Sequence, residues 1–570
     1  MKKLSLCSVL YFSFCSHFFT LKSQPIPLIS GVSVQLLSGS LAQYAVRLQH
    51  DPITQELYYI TFLGELHKLK TNAAGTLYDT LIATQLQHNI THLQGFTFKD
   101  SMVFLSGNRK TAGQQGYGII ARGKLTANGG RTWTNLLTTQ TYPSSATLYD
   151  HAFNAIVPTP NGDSLVFSSG SRSDHGEIQS TNGLYPNTRE VPLTTKIFIV
   201  PINANNLFLP NNEAQLDAMG VVFAKGVRNE FDIAYNSQGR LFGVENSGDR
   251  DDSEEMNWLQ RGKHYGFPWE MGGNQTPMQF PNYNPNTDKM INRSSLGWGN
   301  NTFYNDPNYP QKPANLIITQ PIQNLGPDAD KFRTPQGNIL DASDLGITLT
   351  TFTSHRSPLG LVFDKANAIG ANMTGDAFVL SYTKGTLDSA FSGPIIGPFA
   401  DLGEDLLHLK LQYDPLINNY KLNAKKIIQF FKEPVDAELV QNTLYVLETG
   451  FGSVLNSKVW KITLPPNTTP SIETQKNHFN TLAIYPNPAT NGISFELKNA
   501  VSAEIVDVLG RKTMEINSSN SSLFLRGDVR NTEGLEGQRE VNISGLDSGI
   551  YFLKITNQKN ETFVGKFIKE

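Results

Sequence analysis

Along the middle of this chain one phrase recurs: an alternating apolar strand, a polar turn, a second apolar strand rich in Leu, Tyr and Phe, then a glycine. It occurs six times, at Tyr44 to Gly64, Leu93 to Gly107, Phe153 to Gly170, Phe231 to Gly248, Leu359 to Gly385 and Val435 to Gly450. The mean spacing of about 77 residues exceeds the roughly 40 to 50 residues of the shorter propeller repeats and leaves room for a four-stranded sheet with its loops. One such sheet cannot bury both faces, whereas radial stacking buries each face on a neighbour and leaves only short edges. The pattern predicts an all-β fold, a six-bladed β-propeller. The step from the fourth phrase to the fifth is much longer than the others, and its excess, Trp269 to Asp344, is rich in Asn, Pro and Gly; it reads as a loop excursion on one face.

The two ends break this pattern. Met1-Lys2-Lys3, an apolar run from Leu4 to Leu21 and then Lys22-Ser23-Gln24 have the layout of a signal peptide over residues 1–24, with a membrane anchor as the alternative. The propeller is then expected over 25–465. Pro465-Pro466-Asn467-Thr468-Thr469-Pro470 opens a linker over 466–480, and short alternating strands with Gly turns over 481–570 predict a small β-sandwich C-terminal domain. The polar stretch Asn517 to Glu540 reads as a long loop within it.

Composition narrows the chemistry. The 570 residues are 39% hydrophobic and carry a formal charge of −3, enough apolar matter for a large core and no basic excess to hold a phosphate backbone, so nucleic acid is excluded as a partner. Both cysteines, Cys7 and Cys15, lie in the leader. The mature chain therefore has no thiol catalyst, disulfide or zinc–thiolate site. With the leader removed it would hold no transmembrane segment.

Ile484-Tyr485-Pro486-Asn487-Pro488, Asp507-Val508-Leu509-Gly510-Arg511 and Gly549-Ile550-Tyr551 resemble the C-terminal sorting domain of type IX secretion substrates. That resemblance implies the type IX secretion machinery as a partner, export through the periplasm, and a secreted or cell-surface location. In the middle, Gly226-Val227-Arg228-Asn229, an acidic run from Asp249 to Glu255, and Tyr265-Gly266-Phe267-Pro268 resemble the glucose/sorbosone dehydrogenase family, with support from His355-Arg356-Ser357-Pro358 and Gly375-Asp376-Ala377-Phe378. The resemblance covers about Gln43 to Leu464. It implies a secreted quinone-dependent sugar (aldose) dehydrogenase that uses pyrroloquinoline quinone (PQQ) and Ca2+, with a sugar substrate and an external electron acceptor.

The resemblance also assigns residues. In it His151 is the base that takes the sugar hydroxyl proton while hydride moves to the quinone, and Arg228 polarises the quinone oxygens beside Asn229. Lys384 and Arg356 are further candidates for the cofactor carboxylates. Glu254, Glu255 and the Tyr265 carbonyl would hold a structural calcium, and carbonyls near Ser247 and Gly248 a cofactor-side ion. The residues alone say less. An imidazole with pKa near 6.5 can accept a proton, and Asp150 beside it in sequence could orient it; His175 in Ser173-Asp174-His175-Gly176-Glu177 is its rival. Hard oxygens in a tight Gly-bearing loop suit Ca2+, although the spacing is not that of an EF-hand and a solvated charged loop is the plain alternative.

Departures from the family pattern point to a different substrate. Ala152-Phe153-Asn154 would narrow the entrance, and Asn89 to Gln94 holds no clear counterpart of a substrate-contacting glutamine. Two competing readings stand beside the dehydrogenase: a non-catalytic, calcium-stabilised binding propeller, and a channel-metal hydrolase, for which no set of acids distributed over several blades is evident.

Overall fold

A computed structural model describes residues 24–71, 77–127, 129–147, 149–383, 399, 401–450, 456–467, 480–496, 500–507, 510–516, 538–557 and 561–570. The leader and Lys384 lie outside the described residues, as does the stretch 517–537, most of the expected polar loop. The chain divides into two compact units, Met1–Asn467 and Thr468–Glu570.

In the first unit each phrase forms the two leading strands of an antiparallel sheet. The leading strands are Ala45–His50, His92–Lys99, Phe153–Pro158, Glu230–Tyr235, Pro358–Phe363 and Pro434–Val440. Each packs on the leading strand of the next sheet, and the sixth packs on the first, so these strands line a closed ring. The last sheet takes its outer strand from the other end of the unit: Ser33–Leu41 pairs antiparallel with Ser457–Thr463 and ties start to finish. The repeat gave no sign of this closure, because the N-terminal strand lies outside any phrase.

The space between neighbouring sheets is filled by residues that alternate along the strands. Phe242 and Val244 of the fourth sheet pack with Phe363, Val379 and Leu409 of the fifth, all buried. Burial of such side chains contributes about 1.5–3 kcal/mol each. The long excursion is mostly irregular, but Gln323–Pro327 joins the fifth sheet in parallel with Asn419–Gln429.

All six leading strands carry a register shift near their start: Ala45/Arg47, Leu93/Gly95, Phe153/Ile156, Glu230/Asp232, Leu359/Val362 and Pro434/Asp436. Such bulges re-aim a side chain and twist the strand, and here they form a belt at one level of the ring. The strands approach closely at that level. A Cβ on Gly95 would fall 2.0 Å from the Asn154 carbonyl oxygen, so only glycine fits.

The second unit holds a five-stranded and a three-stranded sheet over a shared core that includes Ile493, Phe495, Ile505, Leu553 and Phe567. Among the described residues no helix is long and apolar enough to cross a membrane.

Candidate functional site

Above the belt, where the leading strands begin, lies a cavity of about 520 Å3. His151, Asn154 and Asn229 enter its wall from the third and fourth sheets, Gln94 and Asn108 from the second, and Asn246 and Ser357 from the loops of the fourth and fifth. Phe62, Phe231, Leu359 and Tyr382 make the wall largely apolar, and Lys110 brings the one cation of the described wall.

His151 is fixed by Ser171. Its Nδ1 lies 3.2 Å from both the carbonyl oxygen and Oγ of that residue, and the Ser171 hydroxyl donates to the Ser173 carbonyl oxygen at 2.7 Å. Both Ser171 oxygens can then only accept, so Nδ1 carries the hydrogen and Nε2 keeps a lone pair. Burial, then the nearby Arg228 charge, pushes the imidazole down to about 3. It is neutral at any working pH. Because both effects oppose the imidazolium, a proton is accepted here only where negative charge forms alongside.

Asp150 lines the same cavity, but its side chain is engaged elsewhere: it accepts from the Ser145 amide at 3.0 Å, and burial pushes its carboxyl up to about 6. The rival His175 is a satisfied interior group. It bonds Asp174 Oδ2 at 2.8 Å and the Thr302 carbonyl oxygen at 3.1 Å and stacks on Phe303. Its pKa is raised, the carboxylates of Glu177 and Asp174 outweighing its burial. Thr302 and Phe303 belong to the long excursion, as does Tyr309, whose hydroxyl donates to the His175 carbonyl oxygen at 2.7 Å. The excursion thus braces the loop that carries Asp174.

Arg228 is buried and engaged. Its Nε donates to the Asp174 carbonyl oxygen at 2.7 Å, Nη1 to the Asn246 carbonyl oxygen at 2.9 Å, and Nη2 to Asp174 Oδ1 at 3.0 Å. It holds the wall and does not line the cavity. Asn229 does line it, accepting from Asn154 Nδ2 at 3.0 Å. Arg356 is held by Asp401 and Asp405.

The two glutamates assigned to calcium make separate contacts. Glu254 faces His355 and Arg356, while Glu255 turns to Asn257 and the Gly272 amide. Gly248 packs against Asp174. The Ser247 hydroxyl has no hydrogen-bond partner. Among the described residues no three acidic or imidazole groups are placed to hold a metal. Glu255 instead ends a row of three glutamates: Glu230 pairs across the strands with Glu245, and Glu245 with Glu255. All three reach Asn257 Nδ2, at 3.0, 3.2 and 3.1 Å. Like charges directly opposite one another are unfavourable, and burial raises all three carboxyls well above their ordinary value.

For a quinone cofactor the fit is one of size and of acceptors. The buried Asn154 Oδ1 and Asn246 Oδ1 have no hydrogen-bond partner, so each can accept from an N–H or O–H of a ligand, in a cavity roomy enough for a fused-ring molecule; the Nδ2 groups of both amides already donate to Asn229 and Ser357. Carboxylates on such a ligand would meet Lys110 at the wall.

The belt below was missed by sequence reasoning. Arg47, 3% exposed, places Nη1 at 3.3 Å from Asp232 Oδ1 and 3.5 Å from Asp436 Oδ1. Acids from two sheets therefore do meet in the channel, and the cation between them is an arginine. The signal was present: Arg47, Asp232 and Asp436 each interrupt an apolar leading strand near its start.

Residues 89–320 match the Glucose / Sorbosone dehydrogenase family model, and residues 483–570 match the Secretion system C-terminal sorting domain. No curated protein matches the chain. Among solved structures, it is similar to the PQQ domain of pyranose dehydrogenase from Coprinopsis cinerea (14% identity, TM-score 0.46, covering 77% of this chain and 97% of that one). It is also similar to the soluble aldose sugar dehydrogenase of Escherichia coli (13%, 0.45, 76% and 99%) and the PQQ-bound aldose sugar dehydrogenase of Streptomyces coelicolor (13%, 0.42, 77% and 99%). The class is an all-β protein of the propeller kind. More particularly, residues 89–320 are similar to glucose/sorbosone dehydrogenases and residues 483–570 to the C-terminal sorting domain of a secretion system.

Proposed function

We propose that this protein is a quinone-dependent sugar dehydrogenase exported through the periplasm to the cell surface. We read residues 25–465 as a six-bladed propeller, one blade for each sheet of the ring, and 481–570 as a sandwich that serves as the export address. The observation that carries the reading is His151: its tautomer is set by Ser171, its Nε2 has no partner among the described residues, and it lines the cavity at the ring mouth.

In this mechanism the sugar enters the near cavity and its hydroxyl donates to His151 Nε2, which takes the proton as general base. Asn154, Asn229 and Asn246 orient the remaining hydroxyls, and the apolar wall of Phe62, Phe231 and Leu359 excludes water. Bound PQQ, held by Asn229, Asn246 and Lys110 with Lys384 as a further candidate, would supply the hydride acceptor. Arg228 acts by holding Asp174 and the Asn246 carbonyl.

The test is dye reduction by the full mature chain with added PQQ and calcium across a panel of aldoses. His151→Ala should lower turnover by about 10²–10⁴-fold, whereas His175→Ala that still folds should retain it. No cofactor uptake at millimolar calcium would favour the binding propeller.

A further inference from the structure

Below the belt a second cavity, of about 600 Å3, opens where the leading strands end. Arg47, Asp232 and Asp436 line it, while Gln94 and Phe231 line the near one. The layer between the two is a single guanidinium with its partners. Besides the two carboxylates, Arg47 donates through Nε to the Gln94 carbonyl oxygen at 2.8 Å and through Nη2 to that of Phe231, and it lies 4.1 Å from the centre of the Phe231 ring.

The carboxylates extend the reach. Asp232 Oδ2 accepts from the Leu361 amide at 2.8 Å, and Asp436 Oδ2 from the Leu48 amide at 2.7 Å. Gln94 Nε2 in turn donates to the carbonyl oxygen of His151 at 3.0 Å. One buried cation therefore connects leading strands of the first, second, fourth, fifth and sixth sheets directly or through its two acids. It reaches the segment entering the third through Gln94.

We propose that Arg47 is a positioning residue that builds the floor of the near cavity and, through Gln94, fixes the backbone carrying His151. A planar fork suits this task. It meets carbonyl oxygens and carboxylates from several directions at once while its face rests on an aromatic ring, which an ammonium cannot reproduce. The bulges at Ala45/Arg47, Glu230/Asp232 and Pro434/Asp436 turn these side chains inward at one level. Without the guanidinium, two buried carboxylates would face each other and the carbonyl oxygens of Gln94 and Phe231 would lose their donor.

This inference rests on the near cavity being the substrate site, so its test includes a readout independent of turnover. The far cavity offers an added cation a route to the belt, since its outer wall includes the exposed turn residues Pro52, Ser237 and Gln441. In the full chain, Arg47→Ala should leave the circular dichroism spectrum intact but speed amide hydrogen exchange at least tenfold in peptides covering 92–95 and 149–155. Peptides in the outer strands should not respond. Dye reduction should fall at least tenfold with less than a threefold change in sugar KM. Ethylguanidinium at millimolar concentration should reverse both effects, and methylammonium neither.

Arg47→Lys should retain the fold and lose turnover, which covers the case in which the alanine variant does not fold. Unchanged exchange in the two segments, equal acceleration around the whole ring, or rescue by methylammonium as effective as by ethylguanidinium would overturn the assignment. If the wild-type chain reduces no dye, the sugar dehydrogenase reading fails by itself, and exchange with guanidinium rescue still decides the role of Arg47.

Discussion

At one end of the ring a cavity of about 520 Å3 is walled mostly by amides, an aromatic surface and imidazoles, with Lys110 and Asp150 its basic and acidic residues; at the other, a cavity of about 600 Å3 is lined by the cluster Asp232, Asp436, Glu438, Arg47 and Lys365. The two are made by the same six strands, read from opposite ends. The difference lies in what feeds them. Loops converge on the strand starts and bring side chains from several sheets, among them Asn246 and Ser357, whereas the strand ends run into turns such as Asn236 to Gly239. The amides above can exchange partners with a ligand. The charges below mostly answer one another, as Arg47 does with its two acids. A ring fold thus offers two mouths of similar volume, and side-chain chemistry decides which one suits a neutral polyol.

The contrast breaks if equivalent changes at the two mouths have equal effects. Gln94 and Gln49 are a matched pair: Gln94 donates from Nε2 to the His151 carbonyl oxygen at 3.0 Å, and Gln49 from Nε2 to Glu438 at 3.3 Å. Gln94→Ala should cost about tenfold in dye reduction, on the order of one hydrogen bond at 1.4 kcal/mol. Gln49→Ala should leave turnover within twofold. Steady-state rates on one sugar for both variants settle the matter, and a large loss in Gln49→Ala would move the working cavity to the far end.

Much of the ring was legible because burial between sheets demands alternation, and alternation repeats. The six phrases fall on the first two strands of the six sheets. The closing strand Ser33–Leu41 was not legible, since pairing with Ser457–Thr463 depends on a contact more than 400 residues away along the chain. Candidate residues divided the same way. His151 and Asn229 reach the cavity, but the partner of His151 is Ser171, twenty residues on, and not its neighbour Asp150. Sequence adjacency in a strand-end loop says little about which side chains meet. The charges at Arg47, Asp232 and Asp436 were visible as interruptions of apolar runs, but their meeting required the ring itself.

A smaller effect sharpens the far side. Burial, then the Asp436 charge, pushes the Glu438 carboxyl up to about 8, so the folded protein holds this proton more tightly than the unfolded chain, whose glutamates titrate near 4.3. The sign follows from linkage. Below about pH 4 both states are protonated and Glu438→Gln should match the wild type. As pH rises toward 8 the wild type loses stability that the neutral amide keeps. The group is partly exposed, which limits the gain to about 1 kcal/mol at pH 8. Urea midpoints at pH 4.5 and 8 measure it, and a variant less stable at pH 8 would show that Glu438 is ionised and paired.

The smallest effect belongs to the near side, at Ala152. This residue lines the cavity next to His151 with φ of +59°, a left-handed conformation that costs a residue bearing Cβ about 1–2 kcal/mol. Glycine would remove that cost and give back about 0.5–1 kcal/mol in chain entropy. Ala152→Gly should therefore raise stability by less than about 1 kcal/mol while clearing a methyl group from the wall. The stability change alone reports only the backbone. Its pairing with substrate range is informative: if the methyl narrows the entrance, the glycine variant should accept bulkier aldoses at lower KM without gaining turnover on the best small one. A gain in turnover with no change in KM would place the methyl's influence on the setting of His151 instead, and make Ala152 part of the same positioning chain as Ser171 and Gln94.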